Sequence, residues 1–536
     1  MGYGVKAILC RAVAAAVMVC AVLEAPVRGQ LRLEEAGTPR VYFSYQGRAL
    51  LSFGGLSDFI FYASEDAYNW RLWADWAAEH GVNHVRAYPP LSWKHVEAFA
   101  GENGGSTARV LFPYVEVEPG SRKFDLRRFN PAYWKRFREQ CEYLQSKGII
   151  IHLLMWNGWQ LRAADTNDEG RGTRDEGRNT NDAIRNTNID WDGHFFNPAN
   201  NVNDFTEHLG DDLENRFKIY HSMADRETGL LDAQRWWFHK LVEATADLDN
   251  VYYDLVHELS EHYRDWDKTR QWVEEMALTV RNVWMEANPQ RPIILGMDTG
   301  GLSNEQRTWL FEQPYFDVLI YGKKHTYKQA RQWREQFNKP YIPQESWDDD
   351  GTKYSYRCPN QRTATRKYMW KFMMAGCQQL DLYMKPRVAG QAAGAENPPG
   401  YPHNYDPRGW NAFEDDAVVL RGFWNSLRDY GRLGFDGRVA EGPGEHRYVL
   451  SSTDEAIVYC SSGTGKEGVE YPAGTLQVRD MAVADGAYSM AIVVPTAGLL
   501  EIRSVQVEGG RLAVELPAFT DDIAVHVYLD PASSAG

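Results

Sequence analysis

The chain is short of several things, and each shortage removes a class of function. It has six cysteines in 536 residues, and two of them (Cys10 and Cys20) fall in the first 29. The other four, Cys141, Cys358, Cys377 and Cys460, never approach a CxxC spacing, so neither a zinc ribbon nor a thiol redox pair is written here. Cys358 and Cys377 are the closest pair for a disulfide, and separate buried thiols are the other reading. Positive charge is scarce: 58 Lys and Arg stand against 73 Asp and Glu, a net charge of −15. Nucleic acid is a poor partner for such a surface, because phosphate contacts need clustered cations. No glycine-rich loop follows the first strand-like run, which removes the dinucleotide-binding signature. Only one run, Ala12 to Leu23, is long and apolar enough to raise the question of a membrane.

That run is preceded by Lys6 and Arg11 and followed by small residues, with cleavage plausible near Ala25 or Gly29. Residues 1–29 read as an export signal, too short for a firm span. An uncleaved anchor is the alternative. The expectation is a secreted or periplasmic protein with no membrane span in its mature form. Losing the segment makes the net charge two units more negative, −17. Aromatic residues are abundant, with 19 Trp, 29 Tyr and 22 Phe making 13% of the chain. They suit stacking on sugar faces and equally suit a large core.

From residue 49 onward strands and helices alternate. Strand-like runs fall at 49–55, 82–87, 149–155, 251–257, 292–296, 316–321, 341–343 and 380–384, after a short extended lead-in at 31–48. Helical spacing falls at 67–80, 131–147, 231–248, 270–288, 363–375 and 415–430. Eight strands alternating with helices predict an α/β fold, a (β/α)8 TIM barrel, over residues 30–432. A polar insertion at 165–204 interrupts it after the third strand. Beyond 433 the pattern changes to short alternating runs such as AIVYCSS and IAVHVYLD, which predict a C-terminal antiparallel β-sandwich over 433–536.

Two of the strand-like runs end in glutamate. VYYDLVHE ends at Glu258, after the fourth strand, and KPYIPQE ends at Glu345, after the seventh. Residues at strand ends of a parallel barrel converge on one mouth. Two carboxyl groups about 5–5.5 Å apart are what retaining glycoside hydrolysis requires. A zinc reading of HELSEH fails on spacing: His257 and His262 are five residues apart, about 140° around a helix. Glu261 is the rival to Glu258, the Asp348–Asp350 run reads as a solvated turn rather than a calcium site, and His152 within IIIHLLM reads as a satisfied core histidine. Trp156 and Asn157 follow the third strand and Trp347 follows Glu345, so all three are candidates for lining the mouth. Core packing is the competing role for Trp156.

Over residues 49–432 the chain resembles the clan A glycoside hydrolases, especially the family-5-like cellulase and mannanase group. The resemblance rests on the two glutamates, on GVNHVRAYP (81–89), on HTY (325–327) and on FFNPANN (195–201). It implies that Glu258 is the acid/base and Glu345 the nucleophile. It further implies that Arg86 supports the nucleophile, that His325 and Tyr327 lie beside it, with the Tyr327 hydroxyl bonded to it, and that 195–201 is a substrate-side loop. The implied partner is a carbohydrate substrate, with no cofactor and no metal. Two features depart from the pattern. His257 stands where the clan has an asparagine that bonds the sugar 2-hydroxyl, and LYMKP (382–386) stands where a tryptophan closes the eighth strand. Both departures also fit a non-catalytic carbohydrate-binding protein on the same scaffold.

Overall fold

A computed structural model describes residues 29–36, 40–56, 58–62, 70–79, 81–102, 110–161, 189–259, 265–300, 302–321, 326–344, 362–382 and 407–529. Outside the described residues lie the export segment, most of the insertion at 165–188, Glu261, His325, Glu345, Trp347, Asp348–Asp350, Cys358 and most of LYMKP.

The eight strands are β1 (Ser52–Leu56), β2 (His84–Ala87), β3 (Ile150–Leu154), β4 (Val251–Asp254), β5 (Leu295–Gly296), β6 (Leu319–Tyr321), β7 (Tyr341–Pro343) and β8 (Gln379–Leu382). A parallel ladder runs β5-β4-β3-β2-β1-β8. Asp298 bridges to Ile320 to join β5 to β6, β6 pairs with β7, and β7 lies against β8. The sheet curls into a (β/α)8 barrel. Buried on both faces, β3 (IIHLL) and β4 (VYYD) are continuous runs rather than alternating ones.

Local signals set the helix ends. After β2, helix α1 (Pro131–Ser146) begins with Asn130 accepting from the Ala132 amide, has proline in its first turn and stops before Gly148, whose φ of 70° no branched side chain would favour. Helices α2 (Thr228–Thr245), α3 (Trp266–Ala287), α4 (Asn304–Glu312), α5 (Tyr327–Phe337), α6 (Arg362–Met374) and α7 (Pro407–Ser426) follow β3 to β8 in turn.

The predicted lead-in is an antiparallel hairpin, Arg32–Ala36 with Arg40–Tyr45, and it plugs the N-terminal end of the barrel. Leu31 and Phe43 are buried against Ile150, Tyr252, Ile294 and Ile342. Burial of each such side chain is worth about 1.5–3 kcal/mol. The Leu31 amide donates to the Asp249 carbonyl at 2.7 Å and the Phe43 amide to Gln378 Oε1 at 2.7 Å. This fills the N-terminal end of the barrel.

The C-terminal module is a sandwich. Strands 446–451, 455–461, 522–528, 486–494 and 498–507 form one antiparallel sheet, and 438–441, 474–479 and 512–516 form the other. Strand 455–461 shows the period of two: Ala456, Val458 and Cys460 enter the module's own core, while Ile457 and Tyr459 join the barrel's. Tyr459 stacks on Trp370 of α6 with centroids 5.5 Å apart. Beside it Arg366 Nε and Nη2 donate to the Asp522 carboxylate at 3.0 and 2.9 Å, and the Tyr459 hydroxyl donates to Asp522 at 2.9 Å. Both ions are buried. Removing Asp522 leaves the buried Arg366 with the longer contact to Asp416 at 3.8 Å, so Asp522→Ala is expected to destabilise the protein by about 3–5 kcal/mol. The paired change Arg366→Met with Asp522→Leu is expected to cost less, by urea denaturation. Equal loss in both variants would show that an uncompensated buried charge is not what the single change costs.

Candidate active site

The ladder between β3 and β4 continues past the strands. The His257 amide donates to the Trp156 carbonyl at 2.9 Å, the Gly158 amide donates to the His257 carbonyl at 2.9 Å, and Asn157 and His257 form a parallel bridge. This extension carries Glu258 to the rim of the mouth, half-buried. Glu258 has a φ of 53°, in the left-handed region that costs a residue with a Cβ about 1–2 kcal/mol. Its amide donates to Asp298 Oδ2 at 3.2 Å. Gly158 has no room for a side chain here: a Cβ would stand 3.0 Å from the carbonyl oxygens of His257 and Glu258 and from the Tyr220 hydroxyl.

Asp298 follows β5 and is 1% exposed. Its Oδ2 lies 3.2 Å from His257 Nδ1, and its Oδ1 accepts from the Gly300 amide at 2.7 Å. Its own amide donates to Asp254 Oδ1 at 2.9 Å, at the end of β4. Burial opposes charge on all three groups. For His257 the pairing with Asp298 and the Glu258 charge outweigh burial, and its pKa is raised to about 9. The Asp298 carboxyl, also against burial, is held below its ordinary range by His257 and by the amides of Gly300 and Glu258. Asp254 is pushed up, first by burial and then by the negative charge of Asp298.

Beneath this triad the barrel interior is polar. Arg86 of β2, fully buried, donates through Nη1 to Gln344 Oε1 at 2.9 Å. Gln344 follows β7 and immediately precedes Glu345 in the chain. Its Nε2 reaches Asp254 Oδ2 at 3.4 Å and His152 Nε2 at 3.5 Å. Gln379 of β8 lies 3.0 Å from His84 Nε2 and 3.4 Å from His152 Nδ1. Burial pushes His84 and His152 well down, so both are neutral and bonded, as expected of His152. Arg86 therefore bridges β2 to the residue before Glu345.

No family model matches the chain, and no curated protein matches it in sequence. Solved structures do match in shape. One glycoside hydrolase superposes with a TM-score of 0.54 at 12% identity, over 95% of this chain and 98% of its own. A glycoside hydrolase family 5 protein from Bacteroides vulgatus ATCC 8482 gives 0.51 at 12%, over 93% of each chain. A second protein of that organism gives 0.55 at 12%, over 94% of this chain and 83% of its own. At this identity the likeness establishes a shared architecture, the barrel followed by the sandwich.

Not every predicted residue faces the mouth. Trp156 is fully buried, with its rings against Phe196, Phe238 and Trp272 and its Nε1 donating to the Tyr220 hydroxyl at 3.2 Å. It is a packing residue behind β3, which corrects its assignment to the sugar. Tyr327 opens α5, and its hydroxyl donates to the Met374 carbonyl at 3.4 Å while its ring lies 4.4 Å from Tyr448 of the sandwich. Its ring thus lies at the junction of barrel and sandwich. Asn157 is buried beside His257. In FFNPANN the amides of Asn197, Asn200 and Asn201 bond carbonyls of the loop itself, those of Trp191, Asp192 and Phe195 among them, and so hold its shape. Cys141, Cys377 and Cys460 are free and buried, and burial pushes their thiols up, Cys377 and Cys460 to about 12. Among the described residues no cluster could hold a metal ion, and no helix is long and apolar enough to cross a membrane.

Asp254, Asp298, Gln344 and Gln379 were not among the residues singled out by sequence. Asp254 ends β4, and Asp298 and Gln344 follow β5 and β7, as in ILGMD and YIPQ; that placement is their available signal, whereas Gln379 opens β8.

Two expectations follow from this geometry. His257 has a folded-state pKa above its ordinary 6.5, so its stabilising contribution is complete below about pH 6.5 and disappears as pH rises through about 9. The difference in unfolding free energy between the protein and His257→Gln is expected to shrink by about 3 kcal/mol across that window, by denaturation at stepped pH. A constant difference would contradict a charged His257. Tyr327→Phe removes the hydroxyl that donates to the Met374 carbonyl, so kcat on any substrate found is expected to change less than about twofold. A hundredfold loss would return Tyr327 to the site.

Proposed function

We propose that this protein is an exported retaining glycoside hydrolase that cleaves a poly- or oligosaccharide by double displacement. The observation that carries the proposal is the glutamate at the end of β4, held in a left-handed backbone conformation by a carboxylate from β5. Strain of this kind persists where the surrounding structure enforces it, and it concentrates at functional sites. The architecture shared with solved glycoside hydrolases supports the same reading.

In the proposed reaction the Glu345 carboxylate attacks the anomeric carbon while Glu258 protonates the departing glycosidic oxygen. The covalent glycosyl ester is then opened by water, whose proton passes to Glu258, and Glu345 leaves as a carboxylate. Arg86 keeps positive charge against Gln344, one residue from the nucleophile, and so favours the ionised form of Glu345. Trp347 offers a ring for the sugar face, and His325 a polar contact, as the family resemblance implies. His257 takes the place of the amide at the 2-hydroxyl. Residues 1–29 would direct the protein out of the cytoplasm.

The test is hydrolysis across a panel of plant and microbial polysaccharides. Glu345→Ala is expected to lower turnover about a thousandfold or more, with partial rescue by azide. Unchanged turnover in that variant would remove Glu345 from the mechanism. Glycan binding without hydrolysis anywhere on the panel would favour a binding protein instead.

A further inference from the structure

Asp298 is not a residue that a two-glutamate mechanism calls for, yet the mouth is arranged around it. It is buried, it stands on β5 rather than on the strand that carries Glu258, and its two oxygens take three neighbours. Oδ2 alone receives the Glu258 amide at 3.2 Å and lies 3.2 Å from His257 Nδ1. Its backbone amide ties it back to Asp254 on β4.

We propose that Asp298 is a positioning residue: one oxygen from β5 fixes both the backbone of Glu258 and the ring of His257 beside it. This rests on the hydrolase reading above.

The charged and titratable groups facing His257 come from four strands and its own loop. Asp298 follows β5, Glu258 is adjacent, Asp254 ends β4, Arg86 lies on β2 and His152 on β3. The carboxylates favour the imidazolium, while burial and Arg86 oppose it. Removing the charge of Asp298 alone tips that balance toward the neutral ring.

Histidine-selective 15N NMR titration reads this without substrate. In the wild-type protein the His257 ring is expected to titrate near pH 9. In Asp298→Asn it is expected to titrate at least about two units lower. At pH 8, with folding intact by circular dichroism, kcat/KM of Asp298→Asn is expected to fall about 10–100-fold. The same change made in a His257→Asn background is expected to cost at least about threefold less, because the ring is gone and the hold on the Glu258 backbone is all that remains to be lost. Equal losses in both backgrounds would reduce Asp298 to a structural residue and overturn the proposal. So would a wild-type ring that titrates below pH 6.5, which decides the matter even where a variant fails to fold. Absence of hydrolysis by the wild-type protein would fail the hydrolase reading, while the titration would still report on the pairing.

Discussion

Three groups converge on the Asp298 carboxylate where the chain leaves β5: the amides of Gly300 and Glu258 and the ring of His257. A carboxylate taken out of water is tolerated only when its lone pairs are filled, and here backbone and side chain fill them together. The consequence spreads outward. The bond to Glu258 holds a backbone conformation that a glutamate would otherwise avoid. The negative charge raises Asp254 and keeps His257 cationic. Asp254 in turn meets Gln344 and His152, and Gln344 meets Arg86. Five strands of the barrel are thus tied through one polar network, while the N-terminal end is filled by Leu31 and Phe43.

The sandwich packs against the barrel. Its strand 455–461 serves two cores at once, and the Arg366–Asp522 pair with Trp370 on Tyr459 fixes it against α6. Helix α6 connects β7 to β8, so the module braces the part of the barrel that follows Glu345 in the chain. Tyr327 belongs to the same junction, its ring 4.4 Å from that of Tyr448.

The barrel was legible because periodicity and strand spacing are local properties. IIIHLLM and VYYDLV announce buried parallel strands, and Asn130, Pro131 and Gly148 mark both ends of α1 without any tertiary knowledge. The lead-in hairpin was seen only as extended chain, since its pairing and its role as a plug depend on residues far along the sequence. The same limit governs the site. Glu258 and Arg86 stand in recognisable strings, whereas Asp298 acquires its meaning only when β5 lies beside β4. Trp156 shows the converse: a tryptophan after a barrel strand reads as a sugar platform until Phe196, Phe238 and Trp272 are found around it. Direction of a side chain is set by packing, and packing is what a linear string conceals.

The central claim is a double displacement at a barrel mouth organised by buried charge. The anomeric configuration of the first-formed product tests it most directly, followed by 1H NMR during hydrolysis of a glycan of known linkage. The account predicts a product with the configuration of the bond that was cleaved, appearing before mutarotation. A product of opposite configuration would contradict it, because a single displacement by water needs no carboxylate in the nucleophilic role given to Glu345.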